Sequence, residues 1–346
     1  MSRIHFDVTH PAHVHLFRYA IRELVDDGHH VVVSSREKEL TTDLLDALDI
    51  PHTVLSTMGD RKVELASEWI GRSVRTLEYD RQFDPDVVVS RLSPSAVAAA
   101  AAMGAGSVAF HDHEGTNRLA GLLAPFLDRI CTPASFEADF GAPHRRHEGV
   151  QELAYLHPNR FTPDRDRLRE HGVEPDDPYS VLRLVSMGAH HDVGLKGISE
   201  PAQRRLVDEL SAHGPVYVSA EGSVSNDLSA EPMPVPPELM HDLLGEASLL
   251  VTDSNTMATE AGLLGTPVVR SGAYAATDEF SNFTVLGEAG LVESIADETA
   301  AVERAIELAA DPDATDRWQR QREAYLADAT DVTRYMVDTV LEVADE

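Results

Sequence analysis

The chain has 346 residues, a length typical of two domains rather than one. Its 59 acidic residues outnumber its 29 lysines and arginines and give a formal net charge of −30, which argues against nucleic acid as a partner because nucleic-acid binding needs a basic surface. The same charge argues against docking on an anionic membrane through basic residues. Because only Lys38, Lys62 and Lys196 are lysines, the composition favours a halophilic protein that its charge keeps in solution.

A single cysteine, Cys131, excludes a disulfide framework and a Cys-based zinc site, and its apolar surroundings predict a buried thiol. The sequence leads from Arg3 straight into a strand-like run, with no signal-peptide pattern, and no apolar run is long enough to span a bilayer. We therefore expect a cytoplasmic protein with no transmembrane segment.

The N-terminal half alternates strands and helices. A strand at 3–8, a loop at 9–15, a helix at 16–26 and a strand at 29–34 predict a βαβ unit at the start of the chain. Apolar runs and helical spacing then predict further strands at 51–55, 87–90, 107–110 and 129–132, with helices at 40–48, 59–81, 96–103 and 119–127.

Prolines recur between residues 159 and 177, where we place a linker. Beyond it the alternation resumes, with strands predicted at 179–184, 216–219, 249–251, 268–269 and 289–292, and helices at 198–213, 236–244, 257–264, 299–309, 314–326 and 332–343. The pattern predicts an α/β fold with two doubly wound parallel-sheet domains, at 1–160 and 178–327, followed by a C-terminal helix within 328–346.

The stretch 249–270 is a strand, a polar turn, a helix and another strand. Ligands of open parallel sheets bind outside the carboxyl ends of the strands. Here that position holds the donors Ser254, Asn255 and Thr256 at a helix N-terminus, which favours an anion. Glu260 follows in the same helix and suits two sugar hydroxyls, so the pairing predicts a nucleotide site. An ordinary βαβ turn with a Ser/Asn cap and a solvated glutamate is the alternative.

The motif Asp-Ser-Asn-Thr-x-x-x-Glu-Ala-x-x-x-Gly-x-Pro-Val at 253–268 resembles the donor-nucleotide motif of GT-B enzymes. It is similar to the non-hydrolysing UDP-N-acetylglucosamine 2-epimerases and to the transferase that makes lipid II. The resemblance implies two Rossmann-like domains facing across a cleft, with the C-terminal helix packed back on the first. Ser254 and Asn255 would then meet the diphosphate and Glu260 the ribose. Those families have small glycine-rich residues where this chain has Asn255 and Thr256.

The whole chain also resembles an archaeal and bacterial family of uncharacterised GT-B-like proteins, the domain of unknown function 354. In GT-B transferases the first loop carries a histidine near the acceptor, and His13 falls at the matching place, flanked by His10 and His15. The loop 186–192 resembles the Thr-x-His-Arg-Arg loop of the epimerases, which carries a histidine near the donor phosphates. His190 or His191 is the candidate here, and Arg183 is expected to face the diphosphate as well. A solvated histidine pair is the alternative for His190 and His191.

The stretch 111–118 carries two histidines, two acids and an arginine at a predicted strand end. Glu114, Asn117 and Arg118 match a Glu-Glu-x-Asn-Arg piece of the epimerases, which implies that Glu114 is an acid/base or sugar-binding carboxylate. His113 would protonate or orient it. A helix-capping loop with locally paired charges is the alternative. The epimerases carry an aspartate after the strand that resembles 87–90, where this chain has Arg91-Leu92-Ser93-Pro94, and that difference favours transfer over epimerisation.

We expect a GT-B-type glycosyltransferase that uses a nucleotide sugar, with a UDP-sugar as first choice, in polysaccharide or glycoconjugate synthesis. His13, Glu114 and His113 are the expected catalytic residues, and His10, His15, Asn117 and Arg118 lie on the acceptor side. The alternatives are a UDP-N-acetylglucosamine 2-epimerase and a non-catalytic nucleotide-sugar-binding protein. The acceptor is unidentified, and a homodimer is left open.

No cofactor is expected to be required. Histidines and Asp112 near the first and fifth strands are of the types that bind zinc or manganese, but they match no recognised metal spacing, and we predict no metal.

Overall fold

The computed structural model describes residues 1–38, 40–57, 62–184, 197–220, 230–272, 275 and 280–346, with the backbone alone at 62–67 and 220. The chain divides into two compact units. The first unit contains Met1–Arg160 and Thr330–Glu346, and the second contains Phe161–Ala329. Among the described residues no helix is both long and apolar enough to cross a membrane.

The first unit is built on a parallel sheet of seven described strands. In chain order these are β1 Arg3–Val8, β2 His30–Glu37, β3 Thr53–Thr57, β4 Val87–Ser90, β5 Gly106–Phe110, β6 Arg129–Pro133 and β7 His144–His147. Their spatial order is β3-β2-β1-β4-β5-β6-β7. The order reverses between β1 and β4, and ligands of such sheets bind at this reversal, beyond the carboxyl ends of the two strands.

The helices between the strands of the first unit are α1 Pro11–Asp26, α2 Thr41–Ala47, α3 Lys62–Phe83, α4 Pro94–Met103 and α5 Asn117–Leu123. A short helix, α6 Leu153–Leu156, follows the last strand. Short 3-10 turns at Glu114–Thr116 and Ala124–Phe126 flank α5. The free thiol of Cys131 is buried on β6, as predicted.

The second unit has a parallel sheet of six described strands, in the spatial order β10-β9-β8-β11-β12-β13. They are β8 Ser180–Leu184, β9 Val216–Ala220, β10 Glu231–Pro232, β11 Leu249–Thr252, β12 Val268–Ser271 and β13 Glu293–Ile295. The order reverses between β8 and β11. Leu182, Val251 and Val269 from the central strands pack with Leu206 and Trp318 in the core. The two doubly wound sheets confirm the predicted fold class.

The second unit's helices are α7 Arg165–Glu170, α8 Glu200–Leu210, α9 Met240–Glu246, α10 Asn255–Leu264, α11 Ser281–Glu288, α12 Glu298–Ala310 and α13 Ala314–Leu326. The last helix, α14 Val332–Ala344, contacts α1, α6, β4 and β5 of the first unit. Arg160, where the chain leaves that unit, donates to Asp331 at 2.9 Å and to Glu23 at 2.6 Å. These bonds hold the exit and the return of the chain together.

Some predicted element bounds are wrong. Helix α1 begins at Pro11 rather than Leu16, so His13 and His15 lie in the first turns of a helix and not in a loop. Proline at the first helical position and the His10 side chain, which accepts from the Ala12 N–H at 3.2 Å, start the helix early. The strand predicted at 289–292 is wrong, because β13 begins only at Glu293.

Candidate functional site

The N-terminus of α10 lies at the strand reversal of the second unit. Ser254 caps this helix, since its Oγ accepts from the Met257 N–H at 3.4 Å, and its own N–H donates to Thr252 Oγ1 at 2.9 Å. Thr252 Oγ1 in turn donates to the Arg183 carbonyl at 2.9 Å. The turn is therefore tied to both strands of the reversal, β8 and β11, and the first N–H groups of α10 are presented there.

Glu260 lies in the second turn of α10 and is 4% exposed. Its Oε1 is 3.0 Å from Nε2 of His241 on α9, a histidine that is 3% exposed. The ring of His241 also meets Phe161 edge-on, with 6.0 Å between centroids. The carboxylate is therefore a buried group fixed by a neighbouring helix, which excludes the solvated glutamate of the alternative reading.

Asn255 is the first residue of α10, and its Oδ1 accepts from Arg270 Nε at 2.9 Å. Arg270 lies at 2% exposure on β12, with its guanidinium 3.6 Å from the ring centroid of Phe283. Burial lowers the pKa of Arg270 from its ordinary value to about 10, so it keeps its charge at neutral pH. Thr256, the next residue of the helix, is exposed.

Arg183 on β8 donates from Nη1 to Ser219 Oγ at 2.6 Å, on the neighbouring strand β9. The other two residues predicted near the donor phosphates, His190 and His191, lie outside the described residues. The described part of the second unit thus brings Ser254, Asn255 and Glu260 together on one helix.

In the first unit, His10 and His13 follow β1 at the strand reversal, with 5.8 Å between ring centroids. His13 is 9% exposed, and its Nδ1 accepts from the Thr9 N–H at 3.3 Å. Burial, with the charge of Arg91 second, holds the pKa of His13 well below 6.5. The ring is therefore neutral at pH 7, and because Nδ1 is an acceptor we assign the proton to Nε2. His15 comes two residues after His13 in α1, and its ring packs against Tyr155, with 5.6 Å between centroids.

Arg91 and Asp112 form an ion pair between the ends of β4 and β5, with side chains 24% and 7% exposed. The amide of Gln151, oriented with its nitrogen toward the carboxylate, donates to Asp112 Oδ2 at 2.9 Å. Arg91 follows β4, one of the two strands at the reversal, and Asp112 follows the neighbouring strand β5. The Asp112 carboxylate is therefore bound to a guanidinium and to an amide.

The structure separates the members of the 111–118 stretch by burial. His111 is 2% exposed, packs edge-on to Phe136 at 5.1 Å, and has its pKa lowered to about 4 by burial. Glu114 is half-buried at the start of the 3-10 turn, and Asn117 is half-buried as the first residue of α5, whereas His113 and Arg118 are exposed. Thr116, the cap residue of α5, makes no side-chain capping bond. Its Oγ1 donates instead to the His113 carbonyl at 3.0 Å.

Sequence reasoning did not assign His241, Arg270 or the Arg91–Asp112 pair to the site. Each acts through a partner 15 to 21 residues away, and such pairings leave no local pattern. Among the described residues, no group of three or more His, Cys, Asp or Glu side chains is placed to hold a metal ion.

A family model described as "Protein of unknown function (DUF354)" matches residues 2–345. Comparison with curated protein sequences gives no match. The chain is similar to the solved spinosyn forosaminyltransferase SpnP, with 15% identity over 100% of both chains and a TM-score of 0.66. It is also similar to the UDP-GlcNAc 2-epimerase from Neisseria meningitidis bound to UDP-GlcNAc, with 12% identity, 98% and 99% coverage and a TM-score of 0.66.

A third similar structure is Acinetobacter baumannii MurG, with 14% identity over 98% of this chain and 99% of that one and a TM-score of 0.60. At these identities the likeness shows the fold. The two doubly wound sheets are those of GT-B glycosyltransferases and UDP-GlcNAc 2-epimerases, which confirms both the predicted GT-B-like fold and the predicted family relation.

Proposed function

The chain belongs to the family of proteins of unknown function DUF354, and we propose that it is a GT-B-type glycosyltransferase that takes its sugar from a UDP-sugar. In this proposal the second unit binds the donor nucleotide and the first unit acts on the acceptor, in polysaccharide or glycoconjugate synthesis. No cofactor or metal is invoked.

The observation that carries the proposal is the pairing of the Ser254 cap with a fixed, buried Glu260 on the same helix. Six residues rise about 9 Å along a helix, and a helical side chain leans back toward the N-terminus. A diphosphate at the N-H groups of α10 would therefore leave its ribose within reach of the Glu260 carboxylate. The helix N-terminus suits an anion, and the Glu260 carboxylate suits a diol. A nucleoside diphosphate carries these two groups in that order, as its diphosphate and its ribose.

Sugar transfer needs a stabilised leaving group and a base for the acceptor hydroxyl. The α10 N-terminus would stabilise the leaving diphosphate. For the base, the structure favours Glu114 over His13, because a histidine whose pKa lies far below 7 accepts a proton poorly. His13 would donate from Nε2 to an acceptor oxygen instead. His113 stays a proposed catalytic residue beside Glu114. The proposed acceptor-side residues are His10, His15, Asn117 and Arg118.

Epimerisation at carbon 2 needs carboxylates that take and return a proton. The stretch 91–94 after β4 lacks the aspartate expected of an epimerase, and Asp112 nearby is held in an ion pair with Arg91. This arrangement favours transfer over epimerisation. The turnover experiment below tests for epimerase activity as well.

Calorimetric titration with UDP, in high salt, tests the donor site. We expect wild-type protein to bind UDP, and Ser254→Ala and Glu260→Gln to weaken binding by about tenfold or more, since each removes hydrogen bonds to a charged or desolvated group. Glu303→Gln is the matched control: it makes the same change at an exposed residue of the second unit that pairs with Arg205. Undiminished binding by Glu260→Gln would refute the site.

Turnover separates the three candidate functions. Wild-type protein is incubated with UDP-N-acetylglucosamine in deuterated buffer, with and without a mixture of glycan and lipid-linked acceptors. A transferase releases UDP only when an acceptor is present, and no deuterium enters carbon 2. Deuterium at carbon 2 without any acceptor identifies an epimerase, and UDP-sugar binding without either product identifies a binding protein.

A further inference from the structure

We propose that the side-chain amide of Asn255 is the diphosphate donor group of this site and that Arg270 is the residue that positions it. The inference rests on the proposed function and adds a specificity-determining contact. In the families that the 253–268 motif resembles, small glycine-rich residues stand here. This chain puts an amide side chain in that space.

The position of Arg270 is fixed from three sides. Its Nη1 donates to Ser294 Oγ on β13 at 3.0 Å, its guanidinium lies over the ring of Phe283 at 3.6 Å, and its Nε donates to Asn255 Oδ1 at 2.9 Å. At 2% exposure it is among the largest fully buried side chains of the protein. A planar guanidinium held by these contacts is a rigid donor.

A fixed donor settles the orientation of the amide. Arginine has N–H donors and no acceptor, so the oxygen of Asn255, and not its nitrogen, must face Nε. The Nδ2 group, with its two N–H donors, is then not used by this bond to Arg270 Nε. Asn255 is half-buried at the first position of α10, where the backbone N–H groups of the helix are also presented. The amide of Asn255 and the first backbone N–H groups of α10 are therefore donors at the same end of the helix, which suits an anion.

The pairing also explains why an amide fits better than a carboxylate. An aspartate at 255 would accept from Arg270 equally well, but it would bring a negative charge and no donor to the place where a diphosphate binds. The nearby buried cation adds a favourable potential for an anion. The Asn255 amide, whose oxygen is held by Arg270, is thus a neutral group that can donate a hydrogen bond to a phosphate oxygen.

The test compares UDP with uridine, titrated into wild-type protein, Asn255→Ala and Asn255→Asp. We expect UDP to bind about tenfold more weakly to Asn255→Ala and weaker still to Asn255→Asp, because donors to a charged group are lost and then a like charge is added. Uridine, which lacks phosphate, should bind all three alike. Asn159→Ala and Asn159→Asp, at an exposed asparagine of the first unit, are the controls and should leave both affinities unchanged.

A second comparison tests the positioning role. Arg270→Lys, which keeps the charge but loses the planar fork, should weaken UDP binding when Asn255 is present and add little in the Asn255→Ala background. Additive effects would overturn the positioning role of Arg270. UDP affinity within about twofold of wild type in Asn255→Ala would overturn the inference while leaving the proposed function standing. A wild-type protein that binds no UDP would overturn the proposed function itself.

Discussion

Nε2 of His241 lies 3.0 Å from Oε1 of Glu260, and this contact joins α9 to α10. Both side chains are almost completely buried. A buried carboxylate is costly to desolvate unless hydrogen bonds compensate it. The contact with His241 therefore favours one rotamer of Glu260 over the others. The residue proposed to read the ribose is therefore preorganised by a residue of another helix.

We predict that His241→Ala lowers the free energy of unfolding by about 1–3 kcal/mol, because it removes a donor from a buried carboxylate. The same change should weaken uridine binding, whereas His241→Gln, which keeps an N–H donor, should retain most of both. Urea denaturation and calorimetric titration measure the two effects. His213→Ala, at an exposed histidine of the second unit, is the control. Unchanged uridine affinity in His241→Ala would mean that Glu260 does not depend on His241.

We predict that substitutions of Arg91 and Asp112 have strongly non-additive effects on the free energy of unfolding in a double-mutant cycle. Arg91→Met leaves the 7% exposed Asp112 carboxylate without its cation and should cost about 1–3 kcal/mol of stability, below the full cost of a buried pair because Arg91 is 24% exposed. Asp112→Asn added to Arg91→Met should recover part of that loss. Denaturant unfolding of the four proteins measures the coupling energy.

The Arg205–Glu303 pair provides the comparison for that cycle. Its side chains are 42% and 54% exposed, so its coupling energy should be close to zero. Additive effects at Arg91 and Asp112 would contradict a buried interaction between them.

Because the ring of His147 is buried, we expect the free energy of unfolding to fall in mild acid. His147 is 4% exposed against Tyr335, and burial lowers its pKa from 6.5 to about 4. The unfolded chain therefore takes up a proton between pH 6.5 and pH 4 that the folded protein does not, so the stabilising difference is present above pH 6.5 and is lost as the pH falls. The full difference is about 3 kcal/mol.

His147→Phe keeps a ring in place and removes the titration, so its free energy of unfolding should fall less steeply between pH 6.5 and pH 4 than that of wild type. Urea unfolding across that range measures the slopes. His171→Gln, at an exposed histidine, should follow the wild-type curve. An identical slope in His147→Phe would show that this ring is not the group that titrates.

The sheets were predictable because their central strands are apolar runs such as Leu249–Thr252 with turn residues at both ends. The edge strand β7 was not, since His144–His147 is entirely polar and basic and is a strand only because it pairs with β6. The start of α1 had a readable signal in Pro11.

The candidate site divides in the same way. Ser254, Asn255 and Glu260 share one helix, so their spacing alone suggested a common site. His241, Arg270 and the ion partner of Asp112 come from other elements, and only tertiary packing brings them to their partners. Local spacing shows which residues a helix presents, but not what holds them.

The last prediction concerns salt. The net charge of −30 means that acidic side chains repel one another in the compact state. Salt screens this repulsion, because the Debye length falls from about 10 Å at about 0.1 M salt to about 3 Å at about 1 M. We therefore expect the Tm to rise by several degrees over this range of KCl, measured by differential scanning calorimetry. If repulsion is the cause, a variant with exposed Asp26, Asp208 and Glu209 changed to amides should depend less on salt, and Arg320→Gln, which removes an exposed positive charge, should depend on it more. Equal salt dependence in all three proteins would attribute the stabilisation to salt acting on apolar burial, which does not distinguish these charges.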